Sequence, residues 1–261
     1  MLELGMPTLL ELPELEDAAK LCRELGLQFV ELNMNLPTYQ PDRLDLTELE
    51  DLSRRYGIYF TIHLDENLNV ADFNPYVAQA YTRTVLESIA IAKRLGIPVL
   101  NMHLPRGVYF TLPDKKVYLF ETYQDRYLQS MVGFVKECEK AVGGSSIRIC
   151  VENGGGYTAF QTRTLDILLE SPAFGLTFDI GHDHNVGSVD EPTILAHRKK
   201  LCHFHFHDAA GRRDHLALGT GEIDLERYRR LAESCRARVV LETKTVEGLR
   251  QSADWMRRAG E

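Results

Sequence analysis

Polar side chains that can bind a metal ion follow hydrophobic runs at six well-separated places in the chain. The runs are TIHLDEN, LNMHLP, ICVENGGG, LTFDIGH, CHFHFHD and VVLETK. The polar residues that follow or end them are His63, His103, Glu152, Asp179, His182, His203, His205, His207 and Glu242. If these carboxylates and imidazoles converge in one cavity, repulsion and desolvation make them costly to bury without a cation. Their types and positions therefore predict a metal-binding centre.

Three of these histidines alternate with phenylalanine. In an extended strand, alternation places His203, His205 and His207 on one face, at three different depths. We therefore expect that they do not all bind the same ion. Glu31, which ends another hydrophobic run, is expected to be an inner hydrogen-bond partner.

The segment after these histidines reads GRRDHLALGTGEID. Its guanidinium groups, Arg212 and Arg213, suit an anionic substrate or its phosphate. Asp214 and His215 add one more carboxylate–imidazole pair, and we expect them as candidates for additional metal ligands. We expect this loop to contribute to substrate binding.

Short hydrophobic runs alternate with segments of helical periodicity along the whole chain. The strands are predicted at Leu2–Met6, Gln28–Met34, Ile58–Leu64, Pro98–Leu104, Ile147–Asn153, Gly175–Ile180, Leu201–His207 and Arg238–Thr243. The helices are predicted at Glu14–Leu25, Leu46–Tyr56, Tyr76–Leu95, Tyr123–Val142, Thr164–Glu170, Glu191–Lys199, Leu225–Cys235 and Glu247–Arg258. Strict alternation of this kind indicates a parallel sheet with helical crossovers. Eight repeats in 261 residues predict a single α/β domain over residues 1–261, a (β/α)8 TIM barrel whose site lies at the carboxyl ends of its strands.

Composition argues against several classes of protein. The chain has 38 acidic and 30 basic residues, a net charge of −8, which argues against nucleic acid as a partner. No apolar stretch approaches the roughly 18–20 residues of a membrane span, and the first residues lack a basic segment. We therefore expect a cytoplasmic protein without a membrane partner. The one long connection, 105–122, is expected to influence substrate choice.

These residues, in this order, resemble the xylose isomerase-like TIM barrels, which include sugar-phosphate isomerases and epimerases and also endonuclease IV. The motifs that carry the resemblance are VENGG, FDIGH, HFHFHD, GRRDHLALGTGEID and LETK. The resemblance implies a divalent metal ion held by Glu152, Asp179, His205 and Glu242. Further ligands of the multi-zinc endonuclease members match His63, His103, His182 and His215. Arg213 stands where the family commonly has an acidic residue, with Asp214 beside it, and this departure weakens the expectation of a third metal site.

Three functions remain open at this point. The first is a metal-dependent isomerase or epimerase of a small sugar, sugar phosphate or related keto-polyol, in which Glu152 and Glu242 remove and return a proton. There His182 would be catalytic by holding a substrate oxygen, and the substrate would also contact His63, His103, Arg212 and Arg213. The second is a zinc phosphodiesterase of the endonuclease IV kind that acts on abasic DNA. The third is a barrel that holds a metal and binds a ligand without turnover.

The identity of the metal is open as well. The oxygen-rich ligand set suits Mn²⁺, Mg²⁺ or Co²⁺, whereas the additional imidazoles favour Zn²⁺. A small sugar-like molecule is the expected partner, and the sequence leaves a homo-oligomer open.

Overall fold

Eight parallel strands close into a barrel in the computed structural model, which describes residues 2–260. The strands are Glu3–Pro7, Phe29–Asn33, Tyr59–His63, Val99–His103, Arg148–Glu152, Phe174–Asp179, Leu201–Phe206 and Arg238–Leu241. Each strand pairs with its neighbours in chain order, and the eighth closes onto the first. The predicted (β/α)8 barrel is confirmed. Met1 and Glu261, the end positions of the predicted domain, lie outside the described residues.

The outer helices of the barrel each follow one strand. They are Leu15–Glu24, Leu46–Tyr56, Pro75–Leu95, Gln124–Val142, Ala159–Glu170, Glu191–Ala196, Leu225–Cys235 and Val246–Ala259. Each buries its apolar stripe, as the first helix does with Leu15, Ala18 and Cys22. Within residues 2–260, no helix combines the length and the apolar character that a bilayer span requires.

Two predicted helix boundaries were wrong. The fifth helix begins at Ala159 rather than Thr164, because Thr158 and Gln161 form a capping box at its start. The helix predicted to reach Lys199 ends at Ala196, and Arg198–Lys200 forms a separate 3-10 turn. Neither difference moves a candidate site residue.

Two long connections contain small hairpins. The 105–122 connection pairs Tyr109–Thr111 with Lys116–Tyr118, followed by the short helix Leu119–Thr122. After the seventh strand, Asp208–Ala210 pairs with Arg213–Leu216. A short helix, Ile180–Asn185, follows the sixth strand directly. These elements surround the carboxyl ends of the barrel strands.

The pairing of the sixth and seventh strands shifts by one residue. Leu176 lies opposite Leu201, but Thr177 lies opposite His203, so that one residue of the seventh strand is extra. A bulge of this kind changes which side chains lie level with each other. As a result, Asp179 lies opposite His205.

Candidate metal centre

Four consecutive strands bring four acidic or imidazole side chains to one place at the carboxyl end of the barrel. Glu152 and Asp179 are the last residues of the fifth and sixth strands, His205 lies near the end of the seventh, and Glu242 follows the eighth. One ligand atom of each lies within 4.8 Å of the others. We call these four residues the upper cluster. It is the ligand set that the family resemblance implied.

The Nδ1 atom of His205 is the centre of the upper cluster. It lies 3.0 Å from Glu242 Oε2, 3.1 Å from Glu152 Oε1 and 3.9 Å from Asp179 Oδ2. Three carboxylates therefore surround one imidazole nitrogen, which can satisfy only one of them at a time. Among the described residues, Glu242 Oε2 is buried without a well-aligned hydrogen bond.

The donor set fits a divalent cation. Three carboxylates and one imidazole suit the harder divalent ions and Zn²⁺. The excess of buried acceptors around His205 Nδ1 leaves an arrangement that a cation would complete. The residues present therefore fit the metal that the resemblance implied.

Two further histidines face the other oxygen of Glu152. His63 Nε2 and His103 Nε2 both lie 3.4 Å from Glu152 Oε2, and Asn101 donates a hydrogen bond to the same oxygen. Burial opposes ionisation of Glu152, but the charges of His205 and His103 outweigh it and lower its pKa well below the ordinary value. Burial also lowers the pKa of His63, but its contact with Glu152 outweighs this and raises the pKa to about 9. Glu152 is thus held as a carboxylate.

A second group of polar residues lies deeper in the barrel, on the other side of the His205 ring. Glu31 Oε2 accepts hydrogen bonds from Thr61 Oγ1 at 2.9 Å and from His203 Nε2 at 3.0 Å. Glu31 Oε1 lies 2.9 Å from His205 Nε2, an ion-pair contact in which the N–H direction is poorly aligned. We call Glu31, Thr61 and His203 the lower cluster. Its single carboxylate is fully surrounded by donors.

Three histidines gather at the edge of the upper cluster. The His207 ring centroid lies 4.2 Å from that of His215 and 5.4 Å from that of His182. Nitrogen atoms of the three rings lie close enough together to bind a metal ion. His182 Nδ1 is also 3.2 Å from Asp179 Oδ2.

A cavity of about 610 Å³ opens above the upper cluster. Its walls include Glu152, Glu242 and His182, the three residues predicted to be catalytic, together with His63 and His103. Such a volume is within the range of small-molecule sites. Additional polar groups come from Arg106, Tyr157, Gln161, Asn185 and Lys244.

Three predicted residues lie away from this cavity wall. Arg212 and Arg213 are exposed, because the hairpin turn after Ala210 carries them outward. Asp214 accepts a hydrogen bond from Asn185 Nδ2 at 2.9 Å and belongs to no group of metal-binding geometry among the described residues. The predicted roles of the three stay predictions. The arginine and the lysine of the cavity wall are instead Arg106 and Lys244.

Several residues of the site were missed or left without a role from the sequence. Lys244 Nζ lies 2.7 Å from Glu242 Oε1, and LETK already contained this lysine. Asn101 lies two residues before His103, so strand alternation could have placed it beside Glu152. Arg106 donates to the carbonyls of Gly155 and Gly156, a contact between distant loops without a local signal.

Comparison with known proteins gives one family. The family model described as Xylose isomerase-like TIM barrel matches residues 19–259. The uncharacterized protein MJ1188 of Methanocaldococcus jannaschii is 25% identical over 239 residues, covering 87% of this chain and 83% of that protein.

Solved structures share the fold over 99% of this chain. D-allulose 3-epimerase from Methylomonas sp., in complex with D-allulose, has a TM-score of 0.73 at 15% identity, with 97% of its chain covered. The 3-keto-D-glucoside 4-epimerase YcjR from E. coli has a TM-score of 0.79 at 14% identity, with 100% covered. The IOLI protein with a binding zinc atom has a TM-score of 0.74 at 16% identity, with 98% covered. Sugar epimerases are therefore among the proteins that share this fold.

Proposed function

Because the chain belongs to the xylose isomerase-like TIM barrels, we propose that it is a divalent-metal-dependent epimerase or isomerase of a small sugar, sugar phosphate or related keto-polyol. The observation that carries the proposal is the placement of Glu152 and Glu242. Both line the cavity, and both have an oxygen about 3 Å from the same nitrogen of His205. The sugar epimerases among its structural neighbours support the same reaction class.

The reaction begins with removal of a proton from the carbon next to a carbonyl group. A carboxylate that faces the cavity can accept this proton, and a second carboxylate can return one. Glu152 and Glu242 come from the fifth and eighth strands, so they approach a bound substrate from different directions. A divalent cation held by the upper cluster would supply Lewis-acid stabilisation of the negative charge that develops on the substrate oxygen.

Other groups of the cavity wall suit the hydroxyl groups of a sugar. His182 is about one-quarter exposed and lies beside Asp179, where it can hold a substrate oxygen. Burial opposes ionisation of Glu242, but the charges of His205 and of Lys244 outweigh it and lower its pKa well below the ordinary value, so that this side chain is held as a carboxylate that can accept a proton. The amide of Gln161 and the hydroxyl of Tyr157 add further hydrogen-bonding groups to the wall.

Exchange of substrate hydrogen with solvent tests the proposal. Metal-loaded protein is incubated in D₂O with a panel of ketoses, including D-allulose, D-fructose and their phosphates, and deuterium at the carbon next to the carbonyl is measured by NMR. We expect exchange with one member of the panel and its loss in Glu152→Gln and Glu242→Gln. Glu247→Gln, an exposed change on the following helix, is the matched control. Retained exchange in both site variants would contradict the assigned roles.

A zinc phosphodiesterase of the endonuclease IV kind is the second candidate. It is favoured by His63 and His103, which flank Glu152 at equal distances and enlarge the set of metal-binding groups. Cleavage of an abasic-site duplex by the zinc-loaded protein, without hydrogen exchange in any ketose, would favour this function over the first. Metal binding without either activity would favour a ligand-binding barrel.

A further inference from the structure

His207 is buried beside the upper cluster, but it has no role in the proposed proton transfer. It follows the seventh strand and begins the connection that carries the hairpin Asp208–Ala210 and Arg213–Leu216. Its ring fills a space that only glycine leaves free, because a Cβ atom on Gly181 would overlap the imidazole. The close approach of Gly181 therefore fixes where the His207 ring can lie.

Both ring nitrogens of His207 have defined partners. The backbone N–H of His215 points at Nδ1 over 2.8 Å. On the other side, Nε2 lies 3.2 Å from Asp179 Oδ2. Nδ1 also lies 3.4 Å from the carbonyl oxygen of Asp208, but its contact with the His215 N–H is shorter. Because a backbone N–H can only donate, we assign Nδ1 as the acceptor and place the ring proton on Nε2. In this tautomer Nε2–H donates to Asp179, and neither nitrogen has a free lone pair.

We propose that His207 is a positioning residue that holds the carboxylate of Asp179 in place for the metal and ties it to the hairpin carrying His215, and that it is not itself a metal ligand. The proposal rests on the metal centre of the proposed function, but not on sugar turnover. The cluster His182, His207 and His215 is then a hydrogen-bonded support for the upper cluster and holds no ion of its own.

The backbone of His215 lies in the left-handed region, with φ of 51°, and this places its N–H against Nδ1.

Supporting contacts of this kind affect metal affinity in a measurable way. Loss of a hydrogen-bond partner to a ligand typically weakens metal binding about 10–100-fold. A glutamine at position 207 can still direct an amide N–H toward Asp179, whereas a leucine of similar size cannot. A positioning role is therefore rescued by His207→Gln, while a ligand role is not.

The experiment measures the affinity and stoichiometry of Mn²⁺ and Zn²⁺ binding by calorimetry. Wild type, His207→Gln and His207→Leu are compared, with circular dichroism to confirm folding. We expect one ion per chain in all three, affinity within about threefold of wild type for His207→Gln, and 10–100-fold weaker binding for His207→Leu. A second ion in wild type that both variants lose would overturn the proposal, and so would equal weakening in both.

A second variant, which keeps every histidine, tests the same role in case His207→Leu does not fold. Gly181→Ala should displace the ring and weaken metal binding in the same direction, and wild-type affinity in it would contradict the proposal. In the zinc-loaded protein labelled with ¹⁵N-histidine, NMR should show His207 protonated at Nε2 only. Absence of sugar exchange would refute the proposed function while leaving these binding results intact.

Discussion

The two sides of the His205 ring carry the same residue types in opposite balance. On the Nδ1 side, the upper cluster places three carboxylates around one nitrogen, next to an open cavity. On the Nε2 side, the lower cluster surrounds the single carboxylate of Glu31 with two imidazoles and a hydroxyl. Both oxygens of the Glu31 carboxylate therefore have donor groups beside them, whereas the upper cluster has more acceptors than donors.

Because of this difference, we expect the lower cluster to contribute mainly to stability and the upper cluster mainly to ion binding. A buried carboxylate that is fully paired contributes to the folded state, and removal of one partner leaves the others uncompensated. A carboxylate in a group with excess acceptors contributes to ion binding, and its removal leaves His205 Nδ1 with other carboxylates beside it. Burial and residue type alone would not distinguish the two clusters, whereas the number of donors for each acceptor does.

The largest expected effect is on stability, from a change in the lower cluster. Glu31→Ala leaves His203, His205 and Thr61 without their shared acceptor, so we expect the free energy of unfolding to fall by about 3–5 kcal/mol. Urea unfolding of metal-free protein measures it. Glu242→Ala, the corresponding change in the upper cluster, should cost less than about 1 kcal/mol under the same conditions. Equal losses in the two variants would refute the comparison.

Metal affinity should show the reverse order. Glu242→Ala removes a carboxylate of the upper cluster, and we expect Mn²⁺ binding to weaken by more than about 100-fold, beyond the loss typical of a supporting contact. Titration calorimetry measures this, with Glu247→Ala as the control in an exposed position. Unchanged affinity in Glu242→Ala would remove this residue from the metal-binding set.

The stability of the metal-free protein should depend on pH. The pKa of His63 is raised to about 9, from an ordinary value near 6.5, so its contribution to stability is fully present below pH 6.5. That contribution is lost as the pH rises through 9, and we expect metal-free protein to lose about 1–3 kcal/mol over this interval. Urea unfolding at pH 6.5 and 9.5 measures it. His63→Gln should make the profile shallower, and an unchanged or steeper one would count against the assignment.

The smallest expected effect concerns the cations at the rim of the cavity. Lys244 lines the cavity beside Glu242, and we expect Lys244→Ala to raise KM for the substrate by about tenfold, or 1.4 kcal/mol. Arg212→Ala and Arg213→Ala should change KM by less than about twofold, because both side chains are exposed away from the wall. A large effect of either arginine would show that the hairpin folds over the substrate.

Much of the barrel and the upper cluster could be predicted from the sequence. Local hydrophobic runs specify the strands, and a parallel barrel brings the carboxyl end of each strand to one rim. The alternation of strands and helices predicts this barrel, and the barrel brings together Glu152, Asp179, His205 and Glu242. Their assignment as a ligand set depended on the family resemblance.

The supporting contacts could not be predicted in the same way. They depend on the register shift between Leu176 and Thr177, which places His205 opposite Asp179. They also depend on the direction of the hairpin after Asp208, which carries Arg213 outward and brings His215 inward. Neither a one-residue bulge nor the course of a hairpin leaves a periodic signal in the sequence.

The ring of His205 also lies between residues that the fold requires, in the lower cluster, and residues that can be substituted, in the upper cluster. Because both oxygens of Glu31 have donor groups beside them, residues of the upper cluster can be exchanged without depriving the fold of this buried acceptor. An engineer who seeks a different metal preference or a new reaction in this scaffold would therefore keep Glu31, Thr61 and His203 fixed. Diversity would be introduced at Glu152, Glu242 and the loops around them.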